Sequence, residues 1–438
     1  MKIRITRPVQ GGTIRAIVSK SEAHRLLICA ALADRGTFIT CPELSEDIEA
    51  TARCLESIGA VLRYERDGFF VIPAKRWPKS RETKQYRLHC GESGATLRFL
   101  LPVCGALGLR VAFDLSGRLP ARPLFGLYEE MASHGCRLSE PGFSPLLCEG
   151  KLRNGTYTLP GKISSQFISG LLLALPLLLG DSTIRVMDIL ESRPYVDMTL
   201  DALCLFGITV REEEDQVFQI PGGQVFSSPQ KVRVEGDWSN AAFWLCAGAI
   251  GKNPISCTGL DPDSRQGDRA IVDLLARFGA HVTYENDAFT VFPGPLKGIN
   301  IDAGDYPDLI PVISAVAAVA EGMTIIKNGG RLRLKESDRL HTIAKSLSSL
   351  GADITETKDC LIISGKKLLT GGNTQSFGDH RIAMAAAIIS AACKGPVEIE
   401  DAGAVRKSYP GFFNDFSAEL GGIWEAAGDY SQIRIKKS

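Results

Sequence analysis

The sequence predicts an α/β protein of two domains, each an inside-out assembly of three β-α-β-α-β-β repeats with helices within and sheets without. Three observations predict it. Six apolar segments end in glycine, at Gly36, Gly108, Gly180, Gly251, Gly322 and Gly395, with spacings of 72, 72, 71, 71 and 73 residues. A second glycine series, Gly59, Gly135, Gly207, Gly279, Gly351 and Gly421, runs at 76, 72, 72, 72 and 70. Two independent series sharing one period are the mark of an internal repeat. The third observation is that the first helix of each repeat is apolar nearly all round, which requires burial on every side.

Each repeat reads the same way in chain order. The apolar helix, as in SEAHRLLICAALADRG or YPDLIPVISAVAAVAEG, is expected to end on its glycine, which takes the left-handed C-terminal position cheaply. A strand follows, then an amphipathic helix such as SEDIEATARCLESIGA (45–60) or SDRLHTIAKSLSSLGA (337–352). A hairpin closes the unit, with alternating residues around a polar turn in VLRYERDGFFVIP (61–73) and HVTYENDAFTVFP (281–293). The 438 residues suit two domains of three repeats. The expected division puts 19–235 in the first domain and 1–18 with 236–438 in the second, the N-terminal strand pairing into the second domain.

Composition narrows the function. Fifty basic and fifty acidic residues leave a formal net charge of zero, which removes the usual electrostatic reason to expect nucleic-acid or anionic-membrane binding. The most apolar stretch, FISGLLLALPLLLG (167–180), contains Gly170 and Pro176 and is too short for a bilayer span of about twenty residues, so it reads as a buried helix. The twelve cysteines are scattered without a C-x-x-C pair. No metal or redox motif follows from them, and a reduced, cytoplasmic setting is expected.

The starts of the helices carry the chemistry. In all six repeats the apolar helix opens on polar or charged residues: Lys20, Ser21 and Arg25; Ser93, Gly94 and Arg98; Ser164, Ser165 and Gln166; Asp237, Ser239 and Asn240; Asp308; Asp379, His380 and Arg381. The amphipathic helices begin similarly, with Arg122, Arg193, Lys335, Arg339 and Lys407. Ser, Asp and Asn there are ordinary N-caps. Capping leaves the cations unexplained, because a helix N-terminus disfavours positive charge. A bound anion reverses that penalty through charge-assisted hydrogen bonds. Parallel helices bundled in threes would converge their N-termini on one end, and two such ends facing each other would make a cleft for two small, multiply charged anions.

The local motifs agree. Ser21 and Arg25 share a helix face at i,i+4. Gly91-Glu92-Ser93-Gly94 is a turn that lets backbone amides approach a ligand. Lys335-Glu336-Ser337-Asp338-Arg339 mixes two cations with two acids, where a solvated, ion-paired helix start is the competing reading. Gly378-Asp379-His380-Arg381 opens an alanine-rich helix, with Asp379 in the position of a cap.

These motifs, with Arg122-Pro123, Ser164-Ser165-Gln166-Phe167, Ser192-x-Pro194-Tyr195, Glu235-Gly236-Asp237, Pro307-Asp308, Asp379-His380-Arg381 and Lys407-x-x-Pro410, occur in the order in which they stand in one family. The chain resembles the 3-phosphoshikimate 1-carboxyvinyltransferase (EPSP synthase) family over essentially its whole length. The resemblance implies a two-domain inside-out α/β barrel of six repeats, with the active site in the cleft between the domains. It implies transfer of the enolpyruvyl group of phosphoenolpyruvate to shikimate 3-phosphate, in a monomer using no metal and no organic cofactor. It further implies that Lys20, Ser21, Arg25, Ser164, Ser165, Gln166, Ser192, Asp308 and Lys335 bind shikimate 3-phosphate. Phosphoenolpyruvate falls to Lys20, Gly94, Arg122, Gln166, Arg339, Arg381 and Lys407. Asp308, Glu336 and Lys20 are implied as catalytic: a base for the 5-hydroxyl, a partner exchanging the C3 proton, and an aid to protonation or phosphate departure.

The chain departs from the family pattern at three places. Many members carry Asn where Glu92 stands, and Thr-Ala-Met-Arg-Pro where this chain has Ala95-Thr96-Leu97-Arg98-Phe99. These changes bear on sensitivity to the inhibitor glyphosate rather than on the reaction class. Arg331 stands where some relatives place an Asn on the shikimate phosphate, and is a further candidate ligand. The alternative with the same fold is the UDP-N-acetylglucosamine 1-carboxyvinyltransferase family, which carries a Cys in the loop before an Arg-Pro pair. Here that loop, Ser116-Gly117-Arg118-Leu119-Pro120-Ala121, has none. A non-catalytic repeat scaffold would not need Asp308 and Glu336 set among cations.

Overall fold

The computed structural model describes residues 1–65, 67–74 and 84–427. Among these, the chain forms six four-stranded sheets and twelve α-helices, which is four strands and two helices for each of six repeats. It folds into two compact units: Ile17–Asp237 with Asp261–Arg269, and Met1–Ala16 with Trp238–Leu260 and Ala270–Ser438.

The first unit contains α1 (Lys20–Leu32), α2 (Glu46–Ser57), α3 (Gly94–Leu107), α4 (Leu127–Ser133), α5 (Ser165–Ala174) and α6 (Arg193–Leu205). Helices α1, α3 and α5 are buried along almost their whole length and pack against one another inside the unit. The backbones of α3 and α5 approach so closely that a methyl on Gly170 would lie 2.2 Å from Arg98 O. The apolar stretch 167–180 falls partly in α5, and its Pro176 lies in a 3₁₀ turn, Leu175–Leu177, that ends the helix. The three sheets share one plan, an edge strand parallel to its neighbour followed by antiparallel pairs. The first sheet is completed by a late strand, Lys231–Arg233, lying parallel to Thr37–Thr40.

The second unit contains α7 (Trp238–Ile250), α8 (Ile271–Phe278), α9 (Ile310–Ala317), α10 (Arg339–Ser349), α11 (His380–Ile389) and α12 (Phe412–Ala418). Here α7, α9 and α11 are the buried set. The N-terminus supplies two strands to this unit. Ile3–Arg7 sits between Val397–Glu400 and Ile423–Ala426, and Gly12–Arg15 runs parallel to Ile255–Thr258. The hairpins predicted at 61–73 and 281–293 form, though residue 66 of the first turn lies outside the described residues. Among the described residues no helix is long and apolar enough to cross a membrane. The cysteines are free thiols. Most are buried, and burial pushes Cys41 up to about 12, so such thiols are unreactive.

One expectation needs correction. The glycines ending the apolar helices are not generally left-handed: only Gly108 (φ 70°) and Gly322 (φ 89°) are. At Gly36 and Gly180 the requirement is close approach instead, since a methyl would meet the Phe70 ring at 2.8 Å and Asn154 Nδ2 at 2.6 Å. The second series behaves differently. Gly59, Gly135, Gly207, Gly279, Gly351 and Gly421 all have φ between 67° and 115°, the region where glycine avoids the Cβ penalty.

Candidate functional site

In the first unit the candidate residues gather at the starts of α1, α3, α5 and α6. Ser19 caps α1, accepting from Glu22 N, and the Lys20 amide donates to Asp237 Oδ2 at 3.1 Å. The Lys20 ammonium pairs at 3.0 Å with Asp47 Oδ2, in the acidic first turn of α2. Sequence reasoning missed Asp47, because nothing local distinguishes it from an ordinary acid near a helix N-terminus.

Arg25 is 2 % exposed and works as a cross-tie. Its Nε donates to Thr199 Oγ1 (2.7 Å), Nη1 to Ser21 O (2.6 Å), and Nη2 to Tyr195 O (2.6 Å) and Ser169 Oγ (3.4 Å). The guanidinium also lies 5.0 Å from the centre of the Phe99 ring. The i,i+4 relation with Ser21 is therefore made through the backbone oxygen. Burial lowers Arg25 to about 10, leaving it charged at neutral pH. Its neighbour Glu22 is pushed up to about 8 by burial and by the Glu235 carboxylate, so it does not neutralise Arg25 at pH 7.

Ser93 caps α3, and Gly94 is its first residue. A methyl on Gly94 would lie 2.9 Å from Arg122 Nη1 and 3.3 Å from Arg98 Nη1, so two guanidinium groups flank that backbone. Arg98 donates to Gln166 Oε1 at 2.7 Å and to Pro123 O at 3.2 Å, which orients the Gln166 amide. Ser164 caps α5, with Ser165 and Gln166 opening it. Ser192, 1 % exposed, precedes α6 in a left-handed conformation (φ 56°). That conformation costs a non-glycine residue about 1–2 kcal/mol. Arg193, by contrast, is a surface ion pair with Asp197 and Glu212. Glu92 is exposed and lies against Gly117, whose φ of 54° leaves no room for a Cβ beside the carboxylate.

In the second unit the candidates form one ionic cluster. Asp308 precedes α9 and receives Arg339 Nη1 at 2.6 Å, Arg381 Nη2 at 3.2 Å and Lys335 Nζ at 3.6 Å. Arg339, 1 % exposed, also donates to Glu336 Oε2 (2.9 Å) and Asp379 Oδ2 (2.8 Å). Asp379 caps α11 through Arg381 N and accepts from Ser337 Oγ at 3.0 Å. It is thus both a cap and the buried counter-ion of Arg339, the second role being invisible in sequence. Lys335 and Glu336 precede α10, which begins at Arg339 behind the cap Asp338. Lys407, 6 % exposed, closes the 3₁₀ turn Ala402–Lys407.

The cluster sets its own charge states. Burial pushes Asp308 up, but Arg381, Lys335 and Arg339 together outweigh it and hold the carboxyl well below the usual range. Burial lowers Lys335 to about 8 despite Asp308. Among the described residues no group of three or more His, Cys, Asp and Glu side chains could hold a metal ion. What the two clusters offer is fixed positive charge, aligned hydroxyls and ionisable carboxylates, the equipment for binding anionic substrates and moving protons.

Six four-stranded sheets in two three-repeat units are the architecture of the enolpyruvyl transferases. The fold matches the enolpyruvyl transferase NikO of Streptomyces tendae with a TM-score of 0.76 at 18% identity, over 97% of this chain and 98% of that one. The sequence profile of the EPSP synthase (3-phosphoshikimate 1-carboxyvinyltransferase) family matches residues 3–416, and the chain belongs to this family. It is 44% identical to the 3-phosphoshikimate 1-carboxyvinyltransferase of Clostridium kluyveri over 94% of this chain and 95% of the relative. It is also 44% identical to that of Clostridium perfringens, over 96% and 99%. The structure of EPSP synthase from Acinetobacter baumannii matches with a TM-score of 0.78 at 25% identity, covering 97% of this chain and 99% of that one.

Proposed function

We propose that this chain transfers the enolpyruvyl group of phosphoenolpyruvate to the 5-hydroxyl of shikimate 3-phosphate, releasing inorganic phosphate, in aromatic amino-acid biosynthesis. The observation that carries the reading is the ionic cluster: a carboxylate, Asp308, kept ionised among Arg339, Arg381 and Lys335, with a second carboxylate, Glu336, on the same guanidinium. The setting proposed is a cytoplasmic monomer.

The chemistry follows from these charges. Arg25, Ser21, Ser164, Ser165, Ser192 and Lys335 hold shikimate 3-phosphate. Gly94, Arg122, Arg339, Arg381 and Lys407 hold phosphoenolpyruvate, and Lys20 and Gln166 serve both. Guanidinium forks match carboxylate and phosphate geometry, and lysines act as point charges. The substrate anions compete with Asp308 for its three cations, and each cation drawn off makes Asp308 a stronger base. Glu336, entering the cycle in its protonated form, delivers that proton to C3 of phosphoenolpyruvate as the 5-hydroxyl oxygen bonds to C2 and the hydroxyl proton passes to Asp308. In the second half, C3 returns its proton to Glu336, the C2=C3 bond re-forms and the C2–O bond to phosphate breaks. Lys20 stabilises the departing charge, and the hydroxyl proton ends on phosphate. Exclusion of water and alignment of the two substrates supply a large share of the rate.

The test is release of inorganic phosphate from phosphoenolpyruvate, with shikimate 3-phosphate or with UDP-N-acetylglucosamine as acceptor. Release that depends on shikimate 3-phosphate is expected. Release with the nucleotide sugar alone, or with neither, overturns the reading.

A further inference from the structure

Behind the start of α3 runs a buried chain of hydrogen bonds that the reaction as written does not use. His24 Nδ1 lies 2.7 Å from Thr51 Oγ1, Thr51 Oγ1 lies 2.7 Å from Thr96 Oγ1, and Thr96 Oγ1 donates to Ser93 Oγ at 2.7 Å. All four residues are at most 1 % exposed. They come from three helices: α1 supplies His24, α2 supplies Thr51, and α3 supplies Thr96 and its cap Ser93.

The chain has a single direction. A hydroxyl carries one hydrogen. Thr96 spends its hydrogen on Ser93, so Thr96 Oγ1 accepts from Thr51. Thr51 has then spent its own, so the imidazole must donate, which makes His24 the neutral Nδ1–H tautomer. The other ring nitrogen fits this assignment: Nε2 is buried with no hydrogen-bond partner, and a bare lone pair is what such a place tolerates best. Burial, reinforced by Lys20 and Arg25 and opposed only by Asp47, lowers His24 to about 3, so the ring does not take up a second proton near neutrality. Ser93 Oγ receives two hydrogens, from Thr96 N and Thr96 Oγ1, which pins the N-cap rotamer.

We propose that His24 is a positioning residue for phosphoenolpyruvate, acting through Thr51 and Thr96 to fix the start of α3, where the Gly94 backbone stands beside the Arg122 and Arg98 guanidinium groups. This rests on the reading under Proposed function. His24 touches no substrate. It supplies the hydrogen at the head of the chain, and breaking a link loosens the α3 start by about the worth of one hydrogen bond while the Thr96 N–H stays on Ser93 Oγ.

The test uses the full-length enzyme with both substrates. His24→Leu keeps the volume and removes the donor. Thr96→Val breaks the chain on α3 without touching α1. Each is expected to raise KM for phosphoenolpyruvate roughly tenfold, the size of one lost hydrogen bond, with kcat and KM for shikimate 3-phosphate within about twofold. His24→Asn, whose amide N–H falls near Nδ1–H, is expected to restore the wild-type KM. The double variant is expected to cost no more than the worse single one, because a chain broken once is already broken. A second readout needs no turnover. Two-bond proton–nitrogen correlation spectra of the imidazole are expected to show protonated Nδ1 and bare Nε2, unchanged from about pH 5 to 8. Wild-type KM in both single variants, equal rises in both KM values, additive losses, or an Nε2–H tautomer each overturns the proposal. If the wild-type enzyme releases no phosphate with shikimate 3-phosphate, the functional reading falls instead, and the spectra still decide the tautomer.

Discussion

The two units hold their buried arginines in opposite ways. In the first, every acceptor around Arg25 is neutral: Thr199 and Ser169 hydroxyls and the Tyr195 and Ser21 carbonyls. In the second, Arg339 spends itself on three carboxylates, Asp308, Glu336 and Asp379. A guanidinium held by dipoles keeps its charge available to a bound anion. One held by carboxylates has its charge matched, and Arg339 helps to hold Asp308 ionised. On the function proposed, the first cluster binds, and the second binds and moves protons.

Breaking the second cluster should do the most damage. Arg339→Met leaves three carboxylates without their shared partner, and loss of a buried ion pair costs about 3–5 kcal/mol. At roughly 2–4 °C per kcal/mol, calorimetry should show a fall in Tm on the order of 10 °C, with turnover abolished. A variant as stable as wild type would mean the carboxylates pair elsewhere. Asp308→Asn keeps the shape and an acceptor oxygen but removes the charge. Steady-state phosphate release should drop by about 10²–10⁴, the usual worth of a general base, while Tm moves by only a few degrees. Near-normal kcat would remove Asp308 from proton transfer.

Breaking the first cluster should look different. Arg25→Lys cannot reach three helices in one fork, so affinity for shikimate 3-phosphate should fall by roughly 10- to 100-fold in a calorimetric titration, with kcat changed far less. A loss confined to kcat would contradict a binding role. A test confined to stability concerns Glu22 beside Arg25. Its folded pKa of about 8 lies above the ordinary 4.5, so between those values the folded protein holds a proton that the unfolded chain has lost. Stability therefore declines as pH rises through that window, and the penalty is complete above about 8. Glu22→Gln should raise Tm at pH 8.5 and leave it unchanged at pH 4.5. Equal shifts at both pH values would show that Glu22 does not titrate as its burial implies.

Most of the architecture was legible from one chain because it is written locally and repeated. The period near 72 appears in the second glycine series because every amphipathic helix ends on the same left-handed turn, which only one residue type enters without strain. The first series carried the same period for mixed reasons, so its left-handed reading failed at four of six positions: a methyl would meet the Phe70 ring at Gly36, Asn154 at Gly180, and backbone oxygens at Gly251 and Gly395. The candidate residues were legible as types at helix starts. Their partners were not: Lys20 meets Asp47, and Arg98 meets Gln166, through distances that exist only after the helices pack.

The sequence by itself determined the number of repeats, the pair of helices in each, which of these is buried, and the family to which the motifs belong. The first three depend on periodicity and local backbone preference, which act within one repeat, and the family rests on the resemblance carried by the ordered motifs. The tertiary structure decided what charge each group carries and what each one touches. It placed Ile3 opposite Ile399, Arg25 on Thr199, and Arg339 between Asp308 and Asp379. Electrostatic energies and pKa values depend on separations of a few ångströms and on burial, and no spacing along the chain encodes either.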